Sequence, residues 1–252
     1  MRIISVVNQK GGVGKTTTVA NLGAALVHLK KSVMLLDLDP QADLTAHFGF
    51  NPDDLQKTMV DVFRRNYKDI RECVLVPKEM DIGIIPSSGL LSSVELDLAD
   101  IPSRETQLAD RLKDIKQYDF VLIDSPPSLG FLSINGLAYA KEIIIPLQVE
   151  FFALKGMLKL LETVAKIKHE INPGLKTTGI IATMYDQRTS LSHDILKLIK
   201  DKMGNMVFST IIRDNVRLAE APSFGKAIFE YSADSYGAED YLSLAKEVIN
   251  RG

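Results

Sequence analysis

The chain has 252 residues, of which 46% are hydrophobic and 25% are charged, a composition typical of a globular protein with one large core. The formal net charge of −2 gives no general reason to expect affinity for nucleic acid or membranes, so any such surface must be a local patch. The single cysteine, Cys73, cannot form an internal disulfide, and this agrees with a reducing cytoplasm; no Cys/His cluster in the sequence has the spacing of a zinc site.

Short runs rich in Val, Ile and Leu alternate with amphipathic stretches from one end of the chain to the other. Nearly continuous apolar runs are typical of strands that are buried on both faces of a parallel sheet. We predict strands at residues 3–7, 33–38, 82–85, 120–123, 143–147 and 178–183, with 206–209 as a seventh candidate. We predict helices at residues 17–29, 104–117, 154–171, 191–203 and 238–250. Residues 50–80 fit this alternation least well and are interpreted as a small surface insertion of short helices.

This alternation predicts the α/β class, with a doubly wound, mostly parallel sheet and helices on both faces. We find no internal repeat or linker in the sequence and expect residues 1–252 to form one domain. The last predicted helix, 238–250, has an apolar face and an opposite face of mixed charge. We therefore expect it to dock on the protein's own core, and we predict no membrane attachment.

A glycine-rich loop joins the first predicted strand to the first predicted helix. From Lys10 it reads Lys-Gly-Gly-Val-Gly-Lys-Thr-Thr. Glycines allow backbone N–H groups to surround phosphate oxygens, and the helix that follows adds the positive end of its dipole. In the general phosphate-loop pattern Lys15 reaches the β- and γ-phosphates, and the Thr16 hydroxyl ligates Mg²⁺. Gln9 stands where that pattern has its first glycine, and Lys10 adds a second cation.

Acidic residues follow two other predicted strands. Asp37 and Asp39 lie at the end of the second strand, and Asp124 ends the fourth. Ligands of open parallel sheets bind at these strand ends. A carboxylate there can support Mg²⁺ or orient an attacking water. We therefore expect Thr16 and Asp124 at a magnesium site, to which the family resemblance described next adds Asp37.

Taken together, these motifs resemble those of the ParA/MinD family of ATPases, whose phosphate loop carries the additional lysine. Residues 37–45 are similar to the family's switch I, residues 125–130 to its switch II, and residues 213–226 to a segment typical of ParA proteins. The resemblance extends over essentially the whole chain. It implies an ATPase with a slow intrinsic rate that uses ATP and Mg²⁺.

The family resemblance also implies roles for single residues. Lys10 would reach across a homodimer interface to the nucleotide of the other subunit, and Asp39 would orient the hydrolytic water. Met184 and Pro222 would lie near adenine, although the family more often has Asn at position 184, which leaves open which side chains read the base. The predicted nucleotide-binding residues are Lys10, Gly11, Gly12, Val13, Gly14, Lys15, Thr16, Thr17, Met184 and Pro222. The predicted catalytic residues are Lys10, Lys15 and Asp39.

The resemblance leads us to expect a DNA partition ATPase. ATP would bring two chains together face to face and create a surface for nonspecific double-stranded DNA. Hydrolysis, stimulated by a ParB-type centromere-binding partner, would reverse both steps. Arg217 stands where the family binds DNA, and Arg213 and Lys226 are neighbouring candidates. The protein would be cytoplasmic, and associated with the nucleoid when ATP is bound.

Other uses of the same switch stay open at this point. A ParA-like protein can position a protein cargo, such as a chemoreceptor cluster or a microcompartment, and the sequence motifs do not separate that role from DNA partition. A MinD-like selector of the division site at the membrane is disfavoured, because the terminal helix has no basic face. A reductase like the nitrogenase iron protein is disfavoured because Cys73 cannot supply paired cluster ligands.

Overall fold

The structure is a computed structural model that describes residues 1–78, 80–150 and 153–251. Its strands are β1 (Arg2–Val6), β2 (Val33–Asp37), β3 (Gly83–Ile85), β4 (Phe120–Asp124), β5 (Glu142–Gln148), β6 (Lys176–Tyr185) and β7 (Val207–Arg213). They form one seven-stranded sheet in the order β3–β2–β4–β1–β5–β6–β7, and every neighbouring pair is parallel. The predicted fold class is therefore confirmed.

Helices cover both faces of the sheet. The α-helices are α1 (Lys15–His28), α2 (Asp43–His47), α3 (Met59–Arg64), α4 (Val94–Asp97), α5 (Gln107–Leu112), α6 (Phe131–Tyr139), α7 (Ala153–Glu170), α8 (Ser190–Met203), α9 (Val216–Glu220), α10 (Ile228–Tyr231) and α11 (Tyr236–Asn250). Short 3₁₀ helices span Pro52–Asp54, Ile70–Cys73, Gly89–Ser93, Arg104–Thr106, Gly204–Met206 and Ala221–Phe224.

The central strands divide their side chains between two apolar cores, because successive residues of a strand point to opposite faces. In β2, Met34 and Leu36 enter the core beneath α5, α6, α7 and α8, whereas Val33 and Leu35 enter the core beneath α1 and α11. Both β2 and β4 are buried along their whole length. This explains why these strands read as unbroken apolar runs in the sequence.

Three regions differ from the sequence-based expectations. Helix α6 between β4 and β5 was not predicted, because its Asn-Gly pair is more typical of a turn. A β-carbon at Gly136 would lie 3.0 Å from Leu38 Cδ1, so this glycine permits close packing of the helix on the sheet. The predicted helix at 104–117 is shorter, since α5 ends at Leu112. Residues 50–80 contain the expected short helices, yet Phe63 is fully buried in the core, so this segment is more than a surface insertion.

The terminal helix α11 docks on the protein itself, as predicted. Its Tyr241, Leu244 and Val248 side chains are buried against α1 and the sheet. The apolar face that would be needed for membrane attachment is therefore already covered. Among the residues that the structure describes, no helix is both long and apolar enough to cross a bilayer.

Candidate functional site

The glycine-rich loop lies between β1 and α1, at the carboxyl edge of the sheet. Gly12 and Gly14 adopt positive φ angles of 73° and 86°, which favour glycine because it has no β-carbon. Gly14 precedes the first turn of α1, and no side chain caps the N-terminus of this helix. The backbone N–H groups of this turn are therefore available for an anion, and the helix dipole adds positive potential.

Lys15 is held inside the loop. Its side chain is only 7% exposed, and its Nζ donates a hydrogen bond of 3.3 Å to the carbonyl oxygen of Lys10. Burial lowers the pKa of Lys15, while the nearby charges of Asp124 and Asp39 act in the opposite direction. An ammonium group with one weak backbone partner is well placed to exchange that partner for phosphate oxygens.

Thr16 and Asp124 meet at the start of α1. The Thr16 hydroxyl donates a 2.7 Å hydrogen bond to Asp124 Oδ2, whereas Asp124 Oδ1 is buried and has no hydrogen-bond partner among the described residues. Burial and the neighbouring charge of Asp37 raise the pKa of Asp124. Mg²⁺ is commonly held by one or two protein oxygens together with waters and substrate phosphates. The hydroxyl of Thr16 and the unpartnered oxygen of Asp124 fit such an ion.

Asp37 uses both of its carboxylate oxygens in hydrogen bonds within the chain. It is fully buried and accepts hydrogen bonds from the Thr45 hydroxyl at 2.7 Å, the Thr45 backbone N–H at 2.9 Å and the Asp39 backbone N–H at 3.1 Å. Burial raises its pKa to about 7 despite these bonds. The carboxylate of Asp37 therefore anchors the loop that leads into α2, and a direct role at the metal stays a prediction.

Asp39 faces the cavity that the phosphate loop encloses. Its Oδ1 accepts a 3.0 Å hydrogen bond from the Gln41 backbone, and Ala42 next to it has a positive φ of 56°. The cavity has a volume of about 320 Å³. Its walls contain predicted residues Gly11, Gly12, Gly14, Lys15, Thr16, Thr17, Asp39 and Met184, and also Gln41, Asp43 and Pro127, which we did not assign to the site.

A second cavity of about 130 Å³ adjoins the first, since Gly14, Thr17 and Met184 line both. Met184 lines this cavity from the end of β6, where its backbone has a positive φ of 52°. Pro222, predicted to lie near the base, is not among the lining residues. The lining residues that were not assigned from the sequence include Thr183, Asp214, Asn215 and Leu218. The sequence feature that could have identified them is their position at or just beyond the ends of β6 and β7, because ligands of parallel sheets bind at this edge.

The two lysines of the loop point in different directions. Lys10 Nζ lies 2.6 Å from Glu150 Oε2 and donates a 3.0 Å hydrogen bond to Gln148 Oε1, at the end of β5. It lines neither of the two cavities described above. Val13, which lies between the two lysines in the sequence, is buried, and its carbonyl oxygen accepts a hydrogen bond from the Thr183 hydroxyl. In this conformation Lys15 alone of the two lysines faces the phosphate cavity.

The predicted DNA contacts differ in how far they reach solvent. The Arg213 guanidinium donates to Asp240 at 3.0 Å and to Glu239 at 2.6 Å, and it stacks on the Tyr236 ring at 4.1 Å. These acidic partners raise its pKa further and hold it between β7 and α11. This geometry argues against Arg213 as a phosphate contact. Arg217 has a side chain that is 53% exposed, and Lys226 is half-buried.

Comparison with known proteins identifies the family. A family model described as an AAA domain matches residues 1–177. The chain is 41% identical to the sporulation initiation inhibitor protein Soj of Bacillus subtilis over 100% of its length and 99% of the relative. It is 40% identical to the chromosome partitioning protein ParA of Myxococcus xanthus, covering 99% of this chain and 88% of that protein.

A solved structure shares both the fold and the nucleotide chemistry. Cobyrinic acid a,c-diamide synthase of Mycobacterium smegmatis, bound to an ATP analogue and magnesium, is 34% identical with a TM-score of 0.87. The match covers 99% of this chain and 95% of that one. At the level of such relatives, the prediction of ATP and Mg²⁺ as cofactors is confirmed. The chain belongs to the ParA/Soj family of nucleotide-binding ATPases.

Proposed function

We propose that this chain is a partition ATPase that forms a face-to-face homodimer and binds nonspecific double-stranded DNA when ATP is bound. The observation that carries the proposal is the arrangement at the phosphate cavity, which is lined by buried Lys15 and half-buried Thr16, with Thr16 hydrogen-bonded to buried Asp124. Relatives about 40% identical over nearly the whole chain are named as Soj and ParA, which supports partition as the use of this site.

The residues of the site have separate tasks in ATP hydrolysis. The loop N–H groups and Lys15 bind the phosphates, and Thr16 and Asp124 would hold Mg²⁺, which supplies positive charge to the phosphate oxygens. Asp39, which lines the same cavity, orients the attacking water through its carboxylate. Catalysis therefore consists mainly of positioning and charge stabilisation.

The position of Lys10 supports the proposal that the isolated chain hydrolyses ATP slowly. Its ammonium group pairs with Glu150 and lies outside the phosphate cavity, so one chain supplies only Lys15 to its own phosphates. In the proposed dimer Lys10 exchanges Glu150 for a phosphate of the other subunit. Two nucleotides can then face each other with less repulsion between their charges. A slow rate gives the DNA-bound state time to accumulate before a ParB-type partner stimulates hydrolysis.

A direct contact joins α2, beside the phosphate cavity, to the segment 213–226, which carries Arg217. Helix α2 follows the Asp39 loop, and its last residue, His47, forms a hydrogen bond with the Lys226 backbone. Gly49 and Gly225 approach so closely that a β-carbon at Gly225 would lie 3.0 Å from the Gly49 Cα. A shift of the Asp39 loop on ATP binding would therefore reach the segment that carries Arg217. This contact supports the proposal that nucleotide state controls DNA binding.

The proposal is tested by measuring molecular mass and duplex DNA binding with an ATP analogue, with ADP and without nucleotide. We expect a dimer and DNA binding with the ATP analogue alone, and an affinity that falls steeply as salt rises. Arg217→Glu should dimerise normally and lose DNA binding. Unchanged DNA affinity in that variant would remove Arg217 from the DNA surface. A nucleotide-dependent dimer without DNA binding in the wild type would favour a protein cargo instead.

A further inference from the structure

Arg217 belongs to a row of four contacting side chains on the surface beside α9. Its Nη1 donates a 2.8 Å hydrogen bond to Glu220 Oε2, one turn later in the same helix. The Tyr231 hydroxyl donates a 2.9 Å hydrogen bond to that same oxygen. The Tyr231 ring in turn stacks on Phe224, with centroids 5.0 Å apart. Oε2 of Glu220 therefore accepts hydrogen bonds from both the Arg217 guanidinium and the Tyr231 hydroxyl.

Both members of the ion pair are accessible to a ligand from solvent. The Arg217 side chain is 53% exposed, and that of Glu220 is 38% exposed. Hydrogen bonds from Tyr231 and Arg217 lower the pKa of Glu220, so the carboxylate is charged at neutral pH. The pair as a whole then carries no net charge. A phosphate that approaches Arg217 meets a negative charge at the same place.

We propose that Glu220 is a positioning residue that competes with DNA phosphate for Arg217 and so weakens DNA binding. This inference rests on the proposed function, in which Arg217 contacts DNA. A guanidinium has five N–H donors in a planar fork and binds phosphate best through two parallel hydrogen bonds. Because Glu220 occupies one of these donors, full engagement of a phosphate requires Arg217 to leave Glu220.

Tyr231 makes that exchange possible without leaving Glu220 unpartnered. After Arg217 has turned to a phosphate, the Tyr231 hydroxyl still donates to the Glu220 carboxylate. The stack on Phe224 holds the Tyr231 ring in place. Glu220 therefore stays beside the DNA as a negative charge, which favours release. Arg213 has no comparable freedom, because two carboxylates and the ring of Tyr236 hold it.

The test measures duplex DNA affinity with a non-hydrolysable ATP analogue over a range of salt concentrations. Glu220→Gln removes the charge and keeps an oxygen that can accept from Arg217 and Tyr231. We expect it to bind DNA more tightly at low salt, because the charge of Arg217 is then no longer cancelled by Glu220. The slope of log affinity against log salt should steepen by about 0.9, the value for one additional phosphate charge neutralised by the protein. Between 50 and 200 mM salt, the affinity of the variant should then fall about threefold more than that of the wild type.

Three further variants separate this effect from simpler explanations. Asp97→Asn removes the same charge from the Arg64–Asp97 pair, whose side chains are similarly exposed at 42% and 39%, and should leave the DNA slope unchanged. Tyr231→Phe removes a hydrogen bond but no charge, so it should keep the wild-type slope. In an Arg217→Ala background, Glu220→Gln should give no gain in affinity.

The outcomes distinguish the two hypotheses. An Arg217→Ala variant that binds DNA as the wild type does would contradict the part of the proposed function that places Arg217 on the DNA surface, and the inference with it. If Arg217→Ala weakens DNA binding but Glu220→Gln has the wild-type affinity and slope, the proposed function stands and the competition by Glu220 is wrong. A gain from Glu220→Gln that persists without Arg217, or that Asp97→Asn reproduces, would also overturn it.

Discussion

Lys15 and Arg217 are both cations that we expect to meet phosphate, yet the structure holds them in different ways. Lys15 is 7% exposed and donates one hydrogen bond to the Lys10 carbonyl oxygen, and burial lowers its pKa. Arg217 is largely exposed and pairs with one carboxylate on its own helix. Interactions of a buried charge depend on geometry, whereas those of an exposed charge are screened by salt and side-chain motion. Nucleotide binding should therefore respond to single substitutions far more strongly than the surface that binds DNA.

The largest effect is expected from Lys15→Ala. We expect a loss of about 2–5 kcal/mol in ATP binding free energy, because a buried charge would lose its partner in the complex. The free energy of unfolding without nucleotide should not fall, since removing a buried ammonium relieves its desolvation cost. Titration calorimetry with ATP and Mg²⁺ measures the first quantity and denaturant unfolding the second.

Lys116→Ala is the matched control for this prediction. Lys116 is an exposed lysine just before β4, at the edge of the sheet opposite the phosphate loop. Its removal should leave ATP binding unchanged. Wild-type ATP affinity in Lys15→Ala would contradict the assignment of Lys15 to the phosphates.

The second effect concerns turnover rather than binding. Asp39→Ala should slow ATP hydrolysis by about 10²–10⁴-fold, the usual contribution of a group that positions or activates the nucleophile. ATP binding should persist, because Lys15, Thr16 and Asp124 are unchanged. Phosphate release under saturating ATP measures the rate. Asp43→Ala, which removes another carboxylate from the same cavity, should retain most turnover; equal losses in the two variants would show that charge alone matters.

The pH dependence of stability tests the contact between His47 in α2 and the segment that contains Lys226. Burial lowers its pKa from 6.5 to about 4, although the hydrogen bond to the Lys226 backbone acts in the opposite direction. The unfolded chain takes up a proton near pH 6.5 and the folded chain only near pH 4, so the contribution of His47 to stability is present above pH 6.5 and is lost as the pH falls. The full difference corresponds to about 3 kcal/mol.

His47→Gln removes this titration while keeping a side chain that can form hydrogen bonds. Denaturant unfolding between pH 7.5 and pH 4 should show a smaller loss of stability for this variant than for the wild type. Identical pH profiles would mean that His47 is not buried as a neutral group between α2 and the Lys226 segment.

The sequence could predict the phosphate end because its signals are local. A strand, a glycine-rich loop and a helix follow one another within about 30 residues of chain. Lys15 and Thr16 start that helix in the structure, as the motif predicts. The state of Arg213 could not be predicted in this way. Its partner Asp240 lies 27 residues further along the chain, on a helix whose packing places it beside β7. Thr183 and Leu218 were not assigned to the second cavity for the same reason, because they meet only once β6 and α9 have packed together.

The smallest effect on one isolated chain is expected from Lys10→Ala. The Lys10–Glu150 pair is well exposed, at 47% and 35%, so its loss should change the free energy of unfolding by less than about 1 kcal/mol. Binding of ATP to the monomer should persist, whereas the ATP-dependent dimer should be lost in analytical ultracentrifugation. Glu150→Gln breaks the same ion pair but keeps Lys10, and it should still dimerise. Loss of the dimer in both variants would assign the defect to the broken ion pair within one chain, and the role of Lys10 across the interface would be wrong.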